Sequence, residues 1–248
     1  MSFIATRHGD LFYLTVGRGR PLILLHGNTM TAASQERLAA RFAATYQVLS
    51  FDLLGHGHSA RPAKLFTPSY FALQGEALAD ALTQLFPNAA SAVLGMSAGG
   101  ITALNAAKVA PTAINALILD SVFSYVSRET LLAHRARVRE TSAAWERYMQ
   151  GQHGEGWWAT LQAGLLTVIE GLERTGEIIT PGLSQLRSPT LIFQGGRDNF
   201  CPEAQGRALA AAIPGAQLRY EADAGHVVAW HDPAAFCEEV KTFLKQQV

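Results

Sequence analysis

Short apolar runs, separated by stretches with helical spacing, constrain this chain more than any other feature. The runs Leu22–Leu25, Tyr46–Phe51, Ala90–Leu94, Ile114–Leu119 and Thr190–Gln194 are each long enough for one strand, and the more polar Gln217–Tyr220 reads as a further strand. A continuously apolar strand is the mark of a sheet covered on both faces. Between the runs, Ala32–Ala44, Ala98–Ala110, Glu203–Ile213 and Pro233–Lys245 read as helices. Another helix is expected from Thr67-Pro68, a hydroxyl cap followed by proline at the first helical position, with Phe71, Gln74, Leu78, Leu82 and Leu85 on one face. Strand–helix alternation implies crossover connections, hence an α/β fold with a mostly parallel sheet and helices on both faces. Phe3–Arg7 and Leu11–Val16, flanking His8-Gly9-Asp10, predict a leading hairpin.

The alternation fails once. Residues 122–187 contain no convincing strand, yet they hold Trp145, Trp157 and Trp158 and a helical series Trp157, Leu161, Leu165, Val168, Leu172. This stretch is expected to be a helical insertion into a core formed by residues 1–121 and 188–248. It carries seven arginines and seven glutamates, so a solvated helix face is expected for most of them. The group His134, Arg135, Arg137 and Arg139 offers an alternative, recognition of a substrate carboxylate.

Charge narrows the function classes. Lysine plus arginine and aspartate plus glutamate both total 20, so the formal net charge is zero. Charged residues are only 16% of the chain, and apolar ones 48%. That balance argues against a nucleic-acid-binding surface and against disorder, and leans toward neutral, fairly apolar substrates. No apolar run approaches the roughly 18 residues of a membrane span. The first ten residues lack a basic leader followed by an apolar run. With only Cys201 and Cys237, expected as free thiols, a cytoplasmic protein is the expectation.

The chemistry concentrates at Gly95-Met96-Ser97-Ala98-Gly99. This is a G-x-S-x-G motif standing after a predicted strand and before a predicted helix, where a sharp turn pushes the serine hydroxyl above the strand end. A hydroxyl needs a base to become a nucleophile. His226, in the loop after the last predicted strand, is the candidate, and Asp198, after Thr190–Gln194, is the acid that would orient it. Asp120, ending the Ile114–Leu119 run, is the rival acid, or else a hydrogen-bonding residue at the root of the insertion. The backbone N–H groups of Ala98 and of Asn28, in His26-Gly27-Asn28-Thr29-Met30, are the expected oxyanion donors. His26 is expected beneath that loop in a structural role, as are His56 and His58 in Asp52-Leu53-Leu54-Gly55-His56-Gly57-His58-Ser59. Met30 and Val227 are expected at the substrate. Trp157 and Trp158 either line an acyl pocket or seat the insertion on the core. No C-x-x-C, H-E-x-x-H or G-x-x-x-x-G-K-[ST] pattern occurs, so neither a metal nor a nucleotide cofactor is expected.

These motifs resemble those of the α/β-hydrolase superfamily nearly end to end. The resemblance implies an α/β-hydrolase sheet with a small helical cap over residues 122–187. It also implies a serine carboxylesterase acting on a small-molecule ester. Ser97 argues against the haloalkane dehalogenases and epoxide hydrolases, whose nucleophile is aspartate. Lactonases and C–C bond hydrolases of the meta-cleavage type share such a triad and stay open as alternatives. So do acyl transfer or perhydrolysis, and a small-molecule receptor that retains the triad.

Overall fold

In a computed structural model, residues 2–247 are described; Met1 and Val248, the ends of the two core segments, lie outside the described residues. In chain order the elements are β1 (Ser2–Ile4), β2 (Leu11–Val16), β3 (Arg20–Leu25), α1 (Glu36–Phe42), β4 (Tyr46–Phe51), α2 (Tyr70–Leu85), β5 (Ser91–Met96) and α3 (Ala98–Val109). There follow β6 (Ile114–Asp120), α4 (Arg128–Arg139), α5 (Ala143–His153), α6 (Trp157–Thr175), β7 (Thr190–Gly195), α7 (Glu203–Ala212), β8 (Gln217–Glu221) and α8 (Pro233–Lys245). The eight strands form one sheet in the order β1-β2-β4-β3-β5-β6-β7-β8. The ladder from β4 to β8 is parallel, and β1 and β2 add an antiparallel edge.

The apolar strands are buried on both sides because each feeds two cores. Leu22 and Leu24 of β3 point into a cluster with Leu38 and Phe42 of α1 and Phe236, Val240 and Phe243 of α8. Ile23 and Leu25 point the opposite way, into a cluster with Leu78 of α2 and Ile101 and Leu104 of α3. Alternation along a pleated strand makes this division.

The strand order fixes where a site can form. From β3 the chain crosses to β4 on one side, and β5 then pairs on the other side of β3. Loops leaving β3 and β5 therefore part at a topological switch point, where a crevice opens beyond the carboxyl ends of the strands.

Several expected boundaries shift for local reasons. The first strand ends at Ile4, because Thr6 and Gly9 close a turn through Gly9 N–H to Thr6 O at 3.1 Å. The segment expected as helix from Ala32 begins as a 3₁₀ turn over Ala32–Gln35 before α1. Thr67 does not cap α2; its carbonyl accepts the Tyr70 N–H at 2.9 Å in a turn that precedes the helix. The stretch 122–187 holds α4, α5 and α6 and no strand among the described residues. Both cysteines are free and buried. Among the described residues, no helix is long and apolar enough to cross a membrane.

Candidate active site

Ser97 sits between β5 and α3 with φ +52° and ψ −120°, a strained backbone that holds its side chain at the tip of the turn. The glycines around it permit the turn by their lack of a side chain. A Cβ on Gly95 would lie 2.5 Å from Gly100 backbone atoms, and one on Gly99 would lie 2.4 Å from the Leu25 carbonyl oxygen. Those contacts are with backbone, which cannot step aside as a flexible side chain would. Ser97 N–H is tied to Asp120 O at 2.8 Å, which anchors the elbow to β6.

The loop after β3 lies against the serine. A Cβ on Gly27 would come within 3.3 Å of Ser97 Cβ, so a bare glycine lets the loop approach. Thr29, two residues on, has φ +70°. His26 fixes the loop from below: Nδ1–H donates to Gly27 O at 2.8 Å, and Nε2 accepts Leu53 N–H at 3.1 Å. Those partners set its neutral tautomer. Among the described residues, neither the Asn28 nor the Ala98 N–H donates to a protein acceptor.

Asp198 and His226 project from the loops after β7 and β8. His226 Nδ1 lies 2.8 Å from Asp198 Oδ2, and Asp198 Oδ1 also accepts Phe200 N–H at 2.9 Å and Cys201 N–H at 2.8 Å. The carboxylate is an acceptor only, so Nδ1 carries the ring proton and Nε2 is left as a base. Among the described residues the ring bonds only Asp198; in ligand-free sites the bond to a nucleophile commonly tightens only around substrate. Ser97, His226, Asn28, Met30 and Val227 line one cavity of about 340 Å³.

Asp120 does something else. Its carboxylate oxygens accept Val228 N–H and Ala229 N–H, each at 2.9 Å. With Ser121 Oγ taking Val227 N–H at 2.9 Å, it clamps the loop that carries His226. Val227 needs that clamp, since it is held at φ +67°. Burial pushes the Asp120 carboxyl up to about 6 despite these bonds.

Of the two roles left open for the tryptophans, lining a pocket and seating the insertion, Trp157 takes the second. Trp157 is outside the serine cavity: its Nε1–H donates to Gly55 O at 2.7 Å, its ring packs on Phe66, and Arg61 lies 4.8 Å above it. It seats the inserted helices on the core. Trp158 also misses that cavity, lining instead an adjoining chamber, because it stacks on His153 at 5.6 Å.

His153, at the end of α5, is a functional-site neighbour that no sequence motif marks. Its Nε2–H donates to Thr29 O at 2.8 Å, and its Nδ1 accepts Gly57 N–H at 3.0 Å. One imidazole thus pins an inserted helix to the loop beside the serine and to the glycine-rich loop after β4. His153→Ala is expected to leave both backbone groups unpaired, costing about 2–4 kcal/mol of stability. Lowered kcat should accompany the loss, as Thr29 is released. Urea unfolding and steady-state kinetics check this, and unchanged values in both would refute the pin.

His26, His56, His134 and His153 are all held below the usual imidazole value, each chiefly by burial. His26 and His134 are pushed down to about 4 from 6.5. The unfolded chain therefore binds protons that the folded chain refuses, and stability falls as pH drops from about 6.5 toward 4. Asp120, raised from 3.8 to about 6, opposes this below pH 6, but one carboxyl faces several imidazoles. Unfolding free energy is expected to be about 2 kcal/mol or more lower at pH 5 than at pH 7. Equal stability by urea titration at the two pH values would contradict it.

Comparisons with known proteins agree with this architecture. A model described as the alpha/beta hydrolase family matches residues 22–239. The chain is 27% identical over 241 residues to a pimeloyl-(acyl-carrier protein) methyl ester esterase of Chromobacterium violaceum, covering 88% of this chain and 91% of that protein. In fold it resembles an enol-lactonase of Burkholderia xenovorans, at 21% identity and a TM-score of 0.78, covering 98% of this chain and 100% of that one. It also resembles a meta-cleavage product hydrolase of Pseudomonas fluorescens, at 17% identity and a TM-score of 0.81, covering 100% and 98%. With the sheet order, the elbow and the family match in agreement, the chain belongs to the alpha/beta hydrolase family.

Proposed function

We propose that the protein is a serine hydrolase that cleaves small carboxylic esters through an acyl-enzyme, with the helices of residues 122–187 acting as a cap domain over the site. Ser97 Oγ attacks the ester carbonyl as His226 Nε2 takes its proton. Asp198 holds the ring in the required tautomer and stabilises the imidazolium. The N–H groups of Asn28 and Ala98 bind the developing oxyanion, at the N-terminal end of α3 where the helix dipole assists. His226 returns its proton to the departing alcohol, then activates the water that releases the acid. The step needs no cofactor. Met30, Val227 and the apolar rings of Phe200 and Trp230 surround the ester in the same cavity.

The observation that carries this reading is the Asp198–His226 pair at 2.8 Å, opening onto the cavity that holds the Ser97 elbow. The esterase relative in Chromobacterium violaceum, aligned across most of both chains, supports the choice of ester over other substrates.

The test is a partition experiment. Esters of one acid with several alcohols are hydrolysed in water containing methanol, and the ratio of free acid to methyl ester is measured. A shared acyl-enzyme requires the same ratio for every leaving group. A ratio that varies with the leaving group, or no ester turnover, would refute the reading. Lactones and C–C substrates in the same assay report the alternative reactions.

A further inference from the structure

Buried side-chain atoms without a hydrogen-bond partner are few in a folded protein, and each calls for an explanation. Among the described residues nine such atoms occur, and five of them line the Ser97 cavity or the chamber beside it. Asn28 Oδ1, both polar atoms of the Gln35 amide and His134 Nε2 are buried and unpartnered among the described residues, and all three residues line the Ser97 cavity. Trp158 Nε1 is in the same condition and lines the adjoining chamber. The two spaces share Asn28, Thr29, His134 and Arg137, so they are two compartments of one site.

Arg137 stands apart from its neighbours on α4. Arg135 pairs with Glu170 at 2.7 Å, Arg139 with Glu140 at 3.2 Å and Arg128 with Glu173 at 3.6 Å. Among the described residues Arg137 has no carboxylate partner, and its guanidinium lies 4.6 Å over the Trp145 ring, at the chamber wall. Indole N–H and guanidinium are donors with no acceptor capacity. Burial holds His134 near 4, so it is a neutral ring at pH 7 and the positive charge comes from Arg137. The chamber therefore offers these donors and one cation, the solvent-reaching Arg137, beside the neutral polar side chains of Asn28, Thr141 and Gln162, and no carboxylate lines it. Its volume is about 40 Å³, room for roughly three waters or one carboxylate.

We propose that the chamber bounded by Arg137, Trp158 and His134 is a carboxylate subsite, and that the natural substrate is an ester bearing a free carboxylate at the end remote from the scissile bond. The proposal rests on the ester-hydrolase reading and specifies its substrate class. The apolar cavity beside Ser97 takes the connecting chain. The guanidinium, steadied by the Trp145 face, takes the carboxylate with the Trp158 N–H as a second donor.

The test compares monomethyl esters of four- to seven-carbon diacids with methyl esters of the monoacids of equal length. The measured quantity is the ratio of their kcat/KM values. In the unaltered enzyme the best diacid half-ester should be favoured about tenfold or more. In Arg137→Gln the ratio should fall toward one, and Arg137→Lys should restore part of it. Trp158→Phe keeps an aromatic face, though a smaller one, removes the donor and should lower the ratio as well. Thermal melting of each variant shows whether it has folded. A ratio of one or less in the unaltered enzyme, or one unchanged in Arg137→Gln, overturns the subsite. Turnover of neither ester overturns the ester-hydrolase reading instead.

Discussion

Replacing Ser97 with alanine is expected to lower kcat on a short-chain ester by about 10³-fold or more. The expectation follows from position. The elbow holds residue 97 at φ +52°, and Gly95, Gly99 and Gly100 let it stand within a close-packed corner. Alanine fits the same backbone without new atoms, so the variant should melt within a few degrees of the parent. What it loses is the only hydroxyl at the tip of the turn. The residual rate would come from binding and from the oxyanion donors alone. Cys201 cannot substitute: it is buried and its thiol is pushed well above its usual value, chiefly by burial, so no thiolate is available. A variant that retains more than a tenth of the activity would remove Ser97 from the mechanism.

The second large effect separates the two aspartates. Asp198→Asn keeps the shape but can present an amide N–H to His226 Nδ1, favouring the tautomer that cannot accept the serine proton; kcat should fall about 10³- to 10⁴-fold. Asp120→Asn should act mainly on stability. Both carboxylate oxygens now receive backbone N–H groups, from Val228 and Ala229. An amide nitrogen at one of those positions faces a donor with a donor, costing about 1–3 kcal/mol. Its kinetic loss should be smaller than that of Asp198→Asn, and should come from a looser His226 loop. The reverse ranking, measured on folded fractions of both variants, would make Asp120 the acid.

Much of this was legible in the chain. The strand at Leu22–Leu25 is apolar at every position because two cores claim its alternate residues, and that pattern is visible without coordinates. Ser97, Asp198 and His226 each stand shortly after a predicted strand, so their shared sheet edge follows from the parallel topology. The tryptophans were not legible. Trp157 and Trp158 are adjacent on one helix, and only the packing of α6 decides that one ring seals against Gly55 and Phe66 while the next stacks on His153. His153 was silent for the same reason. Its two partners, Thr29 and Gly57, are more than ninety residues away in sequence, and nothing in its own surroundings marks it. The zero net charge pointed to apolar substrates, yet a sum over the chain cannot show that Arg137, alone of the four arginines on α4, has no carboxylate partner and lies against Trp145.

If Ser97 is the nucleophile, a covalent serine probe should capture it. The protein is treated with a fluorophosphonate, which phosphonylates an activated serine, and the adduct is located by mass spectrometry of the digest. One adduct per chain is expected on the peptide containing Ser97, suppressed by an ester substrate and absent from Ser97→Ala. An adduct on any other residue, or labelling that persists in Ser97→Ala, would contradict it.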